Sequence, residues 1–175
     1  MARMDATRHP RHAGSRFGAL RRWFDTSADG GEAGAGDDRI DWLRALPFIA
    51  MHLACLGVFW VGVSPTAVWI AVALYAARMF AITGFYHRYF SHRTFRTSRA
   101  VQFAFALLGA ASVQRGPLWW AAHHRHHHVH ADTAADPHTP RKGFWRSHAG
   151  WFLTRAGFRT DPSRIGDLLR YPELR

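Results

Sequence analysis

Thirteen histidines occur in a chain of 175 residues, and their spacing matters more than their number. His87-Arg-Tyr-Phe-Ser-His92 separates two imidazoles by four residues. On a strict α-helix those rings would stand ~140° apart, so a bend or a helix terminus is needed to aim both at one point. In His124-Arg-His126-His127-His128, the i, i+3, i+4 spacing puts His124, His127 and His128 on one helical face, with His123 and His126 pointing elsewhere. Neutral imidazole ligates iron, copper, nickel and zinc, so the pattern indicates a transition metal without choosing among them. The competing reading is a solvated or low-complexity histidine tract. Asp132 and Asp136 are the nearest carboxylates and are expected to orient the rings by accepting their free N–H groups. The near absence of Glu argues against the carboxylate-rich metal sites of soluble four-helix bundles. His130 and His138 stay ambiguous. His148 reads as a packing or headgroup residue, His52 as buried and hydrogen-bonded, and His9 and His12 as solvated.

These side chains need a scaffold, and the apolar residues supply it. Residues 46–63 and 66–86 are almost uninterruptedly apolar, each meeting the ~20 residues required to cross hydrocarbon. Only Ser64 and Pro65 separate them, which predicts a tight transmembrane hairpin and an all-α membrane protein whose interfacial helices carry the histidines. Arg39 and Arg44 precede the first span, while Arg88, Arg93 and Arg96 follow the second, so both outer ends are expected in the cytoplasm. The first span lacks the cleavage pattern of a secretory signal. The net charge of +11 is spread over the tail and the flanks of apolar runs without a base-reading module, which favours a membrane surface over nucleic acid. Cys55, the sole cysteine, excludes a disulfide framework and reads as a small packing residue. Residues 1–38 form a basic tail with no apolar periodicity and are expected to be disordered. Beyond the hairpin, 101–113 predicts a partly embedded helix, 119–130 a helix bearing histidines, and 144–152 an interfacial segment with Trp145 and Trp151. Asp161-Pro162 is a plausible helix start, followed by Ile165, Leu168 and Leu169 on one face.

The order of apolar hairpin, HRYFSH, WWAAHHRHHH, DPH and RKGFWRSHAGW resembles the membrane fatty acid desaturases of the acyl-CoA delta-9 type, over roughly residues 48–175. That resemblance implies a helical membrane protein whose cytosolic cap holds a di-iron centre through histidines, and the high Ala and Arg usage points to a bacterial source and hence its inner membrane. The positions matching the family's metal ligands are His87, His92, His124, His127 and His128. The implied reaction inserts a cis double bond into a saturated acyl chain, consuming O2 and two electrons from a donor such as ferredoxin, rubredoxin or cytochrome b5. The substrate would be a fatty acyl-CoA or another acyl lipid drawn from the membrane, with no nucleic acid partner. In related enzymes, residues aligned with Gln114 and Trp120 shape the bend of the acyl tunnel; on local grounds they read as a loop polar residue and an interfacial anchor. Arg141 and Lys142 suit the phosphates of coenzyme A or of a headgroup, or form a solvated basic turn. Animal members carry a basic and then an acidic residue where Ala122 and His123 stand, which leaves the acyl carrier open. The family pattern continues into a further pair of spans and a third histidine box preceded by one more histidine, none of which is found after Trp151, and five imidazoles fall short of the ~4 to 6 donors that each of two irons requires. The expectation is an incomplete desaturase domain over 39–175, with a catalytically inactive remnant that binds metal partially as the alternative.

Overall fold

The computed structural model describes Trp23, Asp25, Thr26 and residues 37–175. Most of the basic tail, with His9 and His12, lies outside the described residues. Among those described there is no strand, only an isolated antiparallel bridge between Ile40 and Thr154, so the architecture is all-helical.

Helix α1 spans Trp42–Val61, tightening to a 3-10 turn at Cys55–Gly57. The Asp41 carboxylate accepts from the Arg44 N–H and caps its start. The connection contains Gly62, whose φ of +75° lies in the region that only glycine enters without a steric penalty. Helix α2 covers Pro65–Ser91. Ser64 accepts from the Ala67 N–H, and Pro65 occupies the first turn, where a missing N–H costs nothing. At 20 and 27 residues both helices are long and apolar enough to cross a membrane. Large apolar side chains such as Phe59, Trp60 and Trp69 stand more than 70% exposed, leaving the outer faces of both helices for a non-aqueous solvent. The expected spans thus start a little later than α1 and stop short of the end of α2. Two side chains inside α1 depart from expectation. His52 is hydrogen-bonded as anticipated, to the Phe48 carbonyl at 2.8 Å, yet it is exposed, and Cys55 is exposed too.

The second half of α2, Ala81–Ser91, winds as a π-helix and forms the centre of the core. Phe85, Tyr86, Tyr89 and Phe90 are buried there against Ala106 of helix α3 (Arg99–Ala110) and against Ala121 and Ala122 of helix α4 (Pro117–His130). Phe85 stacks on Phe105 at 3.7 Å. Two phenols pin the π segment: Tyr86 donates to the carbonyls of Ala106 and Arg115, and Tyr89 donates to Gln102 Oε1. Gly109 makes room for this, since a Cβ there would lie 2.2 Å from a carbon of the Tyr86 ring.

After α4 the chain turns back. A short helix α5 (Arg155–Phe158) follows the interfacial segment, whose helical turns cover Arg146–Gly150 and Trp151–Leu153. Asp161 does start a helical turn, accepting from the Ser163 N–H, but it is a single 3-10 turn, Pro162–Arg164. Ile165 and Leu168 are fully buried beneath the core, so this segment is held by packing.

Candidate metal centre

The π-helix resolves the awkward spacing of the first pair. Its i to i+5 hydrogen bonds place residues five apart one turn above each other, where an α-helix would splay them. The His92 N–H donates to the His87 carbonyl at 3.1 Å, so the two residues bracket one π turn and their rings meet edge to face with centroids 4.6 Å apart. The anticipated bend is therefore a wider helix that ends at His92.

Helix α4 brings the second group. His124 and His128, four residues apart, share a face, and each meets His92: the Nε2 atoms of His92 and His128 both lie 3.0 Å from His124 Nε2. Together His87, His92, His124 and His128 offer one nitrogen each within 4.8 Å of one another. Imidazole nitrogens bonded about 2.1 Å from a metal stand about 3.0–3.4 Å from one another in octahedral or tetrahedral geometry, which the two 3.0 Å contacts of His124 approach. Burial first, and then the neighbouring imidazoles of His87, His128, His92 and His127, push the His124 pKa down to about 3, and His92 is lowered by the same kinds of cause. Such rings stay neutral and keep a lone pair for a metal.

Four of the five singled-out histidines thus meet at one point, and His127 does not join them. It lies one residue back on α4, and its ring is 6.4 Å from that of His124 against 4.5 Å for His128. Instead its Nδ1 donates to Asp136 at 3.0 Å, with His138 stacked on it at 4.1 Å, and His127, Asp136 and His138 form a second group able to hold a metal. Asp136 is fully buried. Burial alone would raise its pKa, but the N–H groups of Asp132, His138 and the His127 ring hold it below the usual carboxylate range. Of the two carboxylates proposed as ring-orienting partners, Asp136 makes this contact, while Asp132 contributes its backbone N–H. His138, ambiguous in the sequence, belongs to this group; its signal was the DPH turn, nine to eleven residues beyond His127. His126 bonds the Ala135 carbonyl, and His123 sits between Trp119 and Trp151, bonded to the Arg159 carbonyl, with burial pushing its pKa down to about 4.

A cavity of about 460 Å³ opens beside the first group, lined by His124, Gln114, Trp120, Phe48 and Phe152 among others. Trp120 stacks on His124 at 4.6 Å and donates its indole N–H to Gln114. A second cavity of about 560 Å³ contains Lys142 with Arg146, Arg159 and Arg164. His123 and Trp151 line both. Arg141 borders neither cavity and is exposed on the turn Pro140–Lys142. His148 is exposed, stacked on Phe144.

Paired apolar helices with imidazoles gathered where the second one ends define a class: helical membrane proteins that can hold a metal in a histidine cage. A family model described as fatty acid desaturase matches residues 64–173, and the chain belongs to that family. It is 36% identical over 135 residues to the sn-1 stearoyl-lipid 9-desaturase of Anabaena variabilis, covering 73% of this chain and 47% of that protein. Identity to the acyl-CoA 5-desaturase AL21 of Anemone leveillei is 36% over 124 residues, covering 69% and 38%. The delta-9 acyl-lipid desaturase 1 of Arabidopsis thaliana is 33% identical over 138 residues, covering 75% and 44%. This chain therefore spans less than half the length of these relatives. Family membership and the two apolar helices together mark a membrane protein.

Proposed function

We propose that this chain carries the first part of a fatty acyl desaturase, placing a cis double bond in a saturated acyl chain at a histidine-held di-iron centre. One observation carries the reading: four imidazoles from two separate segments converge within 4.8 Å beside a cavity whose walls mix aromatic rings with histidines, Gln114 and Arg115, in a member of this family. His87, His92, His124 and His128 would hold one iron, and His127 with His138 would contribute to a second. When bound, the irons supply the oxidising power, drawn from O2 and two external electrons, that removal of hydrogen from an unactivated methylene requires.

The chain's own residues supply position. An alkyl chain has no polar handle, so selectivity must come from the shape of an apolar cavity that fixes one carbon pair near the metal. The 460 Å³ cavity is of ligand size, and the Gln114–Trp120 hydrogen bond beside His124 supports the role of these two residues in shaping it. Arg141 and Lys142 would meet phosphates of coenzyme A or of a lipid headgroup, and a ferredoxin, rubredoxin or cytochrome b5 would deliver electrons. The location would be a bacterial inner membrane, and the arginines flanking the hairpin support both ends being cytoplasmic.

The test measures iron per assembly, and unsaturated product from stearoyl-CoA and from stearoyl glycerolipid, in membranes expressing the protein. His124→Ala is expected to remove bound iron and product, whereas His126→Ala, whose ring faces away from the cage, retains both. Iron without product from either donor would favour the inactive metal-binding remnant. Equal iron in wild type and His124→Ala would sink the reading.

A further inference from the structure

Between the histidines of the second box stands Arg125, to which the chemistry described above assigns no role. Its guanidinium has five N–H donors, and it makes five hydrogen bonds. Nε donates to the Ser91 carbonyl at 2.9 Å and Nη2 to the Phe90 carbonyl at 2.8 Å. Nη1 donates to the Arg164 carbonyl at 2.7 Å, and the Asp167 carboxylate receives both Nη1 and Nη2 at 2.7 and 3.1 Å. One side chain thus joins the end of α2, the middle of α4 and the C-terminal segment. The Phe90 and Ser91 carbonyls belong to the last turn of the π-helix, where a helix leaves acceptors without intrahelical donors. His92 is the next residue. Asp167 also lies 3.5 Å from Nε of Arg93, on the other side of His92. On one side of His92 the backbone is therefore fastened to Arg125, the residue that follows His124, and on the other the Arg93 side chain shares Asp167 with Arg125.

We infer that Arg125 and Asp167 are positioning residues of the metal centre, fixing His92 within reach of His124 so that the C-terminal segment forms part of the site although none of the cage histidines lies on it. The inference rests on the metal-binding reading above. Arginine suits the task because its planar fork meets a carboxylate with two N–H groups and still has donors for carbonyls, which lysine cannot reproduce. Groups that orient metal ligands typically change metal affinity by about 10–100-fold when removed.

Cobalt(II), whose visible absorption reports coordination geometry, is the probe, titrated into the full chain purified in detergent. Arg125→Lys and Asp167→Asn are expected to weaken cobalt binding about 10–100-fold and to alter the visible spectrum. Asp167→Asn leaves the three carbonyl bonds of Arg125 in place, so it keeps the fold even where Arg125→Lys does not, as far-UV circular dichroism would record. Arg99→Gln is the control, because the Arg99–Glu173 ion pair also reaches the C-terminal segment but touches no cage histidine. Its cobalt affinity should equal that of wild type. Wild-type affinity and spectrum in folded Asp167→Asn would overturn the inference while leaving the metal reading intact. Failure of the wild-type chain to bind cobalt through its histidines would instead remove the metal reading, and this inference with it.

Discussion

At the scale of single residues, the histidine spacings pointed to groups able to hold a metal, but spacing alone could not apportion the rings. His124, His127 and His128 fall on one broad face of α4, and nothing local separates i+3 from i+4. The separation comes from Asp136, which is brought back by a turn and captures the His127 ring. A carboxylate nine residues away in sequence is a candidate partner only once the fold of that turn is known. Asp136 accepts three N–H groups while fully buried, so exchanging one of its oxygens for an amide nitrogen faces a donor with a donor. Asp136→Asn is therefore expected to cost about 1–3 kcal/mol of stability. It should also loosen the His127–His138 pair. Chemical denaturation in detergent measures the first effect, and the ring-proton shifts of His127 in the NMR spectrum measure the second. An Asn variant as stable as wild type, with unmoved shifts, would exclude this role for Asp136.

At the scale of elements, the sequence showed that the end of α2 had to depart from α-helical geometry, but it did not show how. A π-helix and a helix end both reconcile rings five residues apart, and the choice is made by long-range contacts: Tyr86 reaches the Ala106 and Arg115 carbonyls, and Tyr89 reaches Gln102. The closeness of α3 that these bonds need depends on Gly109. Gly109→Ala would push a methyl into the Tyr86 ring and is expected to destabilise the protein by about 1–3 kcal/mol, as overpacking does. The measurement is the thermal midpoint in detergent, and an unchanged midpoint would show that α3 yields freely. The ionic tie between α3 and the C-terminal segment predicts a pH dependence. The Glu173 carboxylate accepts from Arg99 and Gln102, and the hydrogen bonds from Arg99 first of all hold its pKa below the ordinary glutamate value. A pKa lowered by folding means stability that is present above the unfolded value and lost as pH falls through the folded one. Wild type should therefore exceed Glu173→Gln in midpoint at neutral pH, with the difference closing at acid pH. A gap independent of pH would rule out the charge as its source.

At the scale of the whole molecule, the two spans were readable from the chain because hydrocarbon demands a long apolar run regardless of what the rest of the protein does. The fastening of the histidine boxes to the C-terminal segment was not readable, since Arg125 and Asp167 are 42 residues apart and meet only through packing around Ile165 and Leu168. The proposed transmembrane hairpin also predicts what lies on each side of the membrane. On that proposal, with Ser64 at the tip and the histidine-bearing helix beyond the open end, the tip and the α4 region are expected on opposite faces, with Cys55 between them in the first apolar helix. A membrane-impermeant maleimide applied to sealed vesicles reads this directly. Native Cys55 should resist the reagent from both sides, although it is exposed on the isolated chain, because lipid covers it. In a Cys55→Ser background, Ser64→Cys should react only in right-side-out vesicles and Ala134→Cys only in inverted ones, as arginines retained at the cytoplasmic ends require. Labelling of Ser64→Cys and Ala134→Cys from the same side would mean that the two apolar helices do not both cross, and the cage could not then stand at the open end of a transmembrane hairpin.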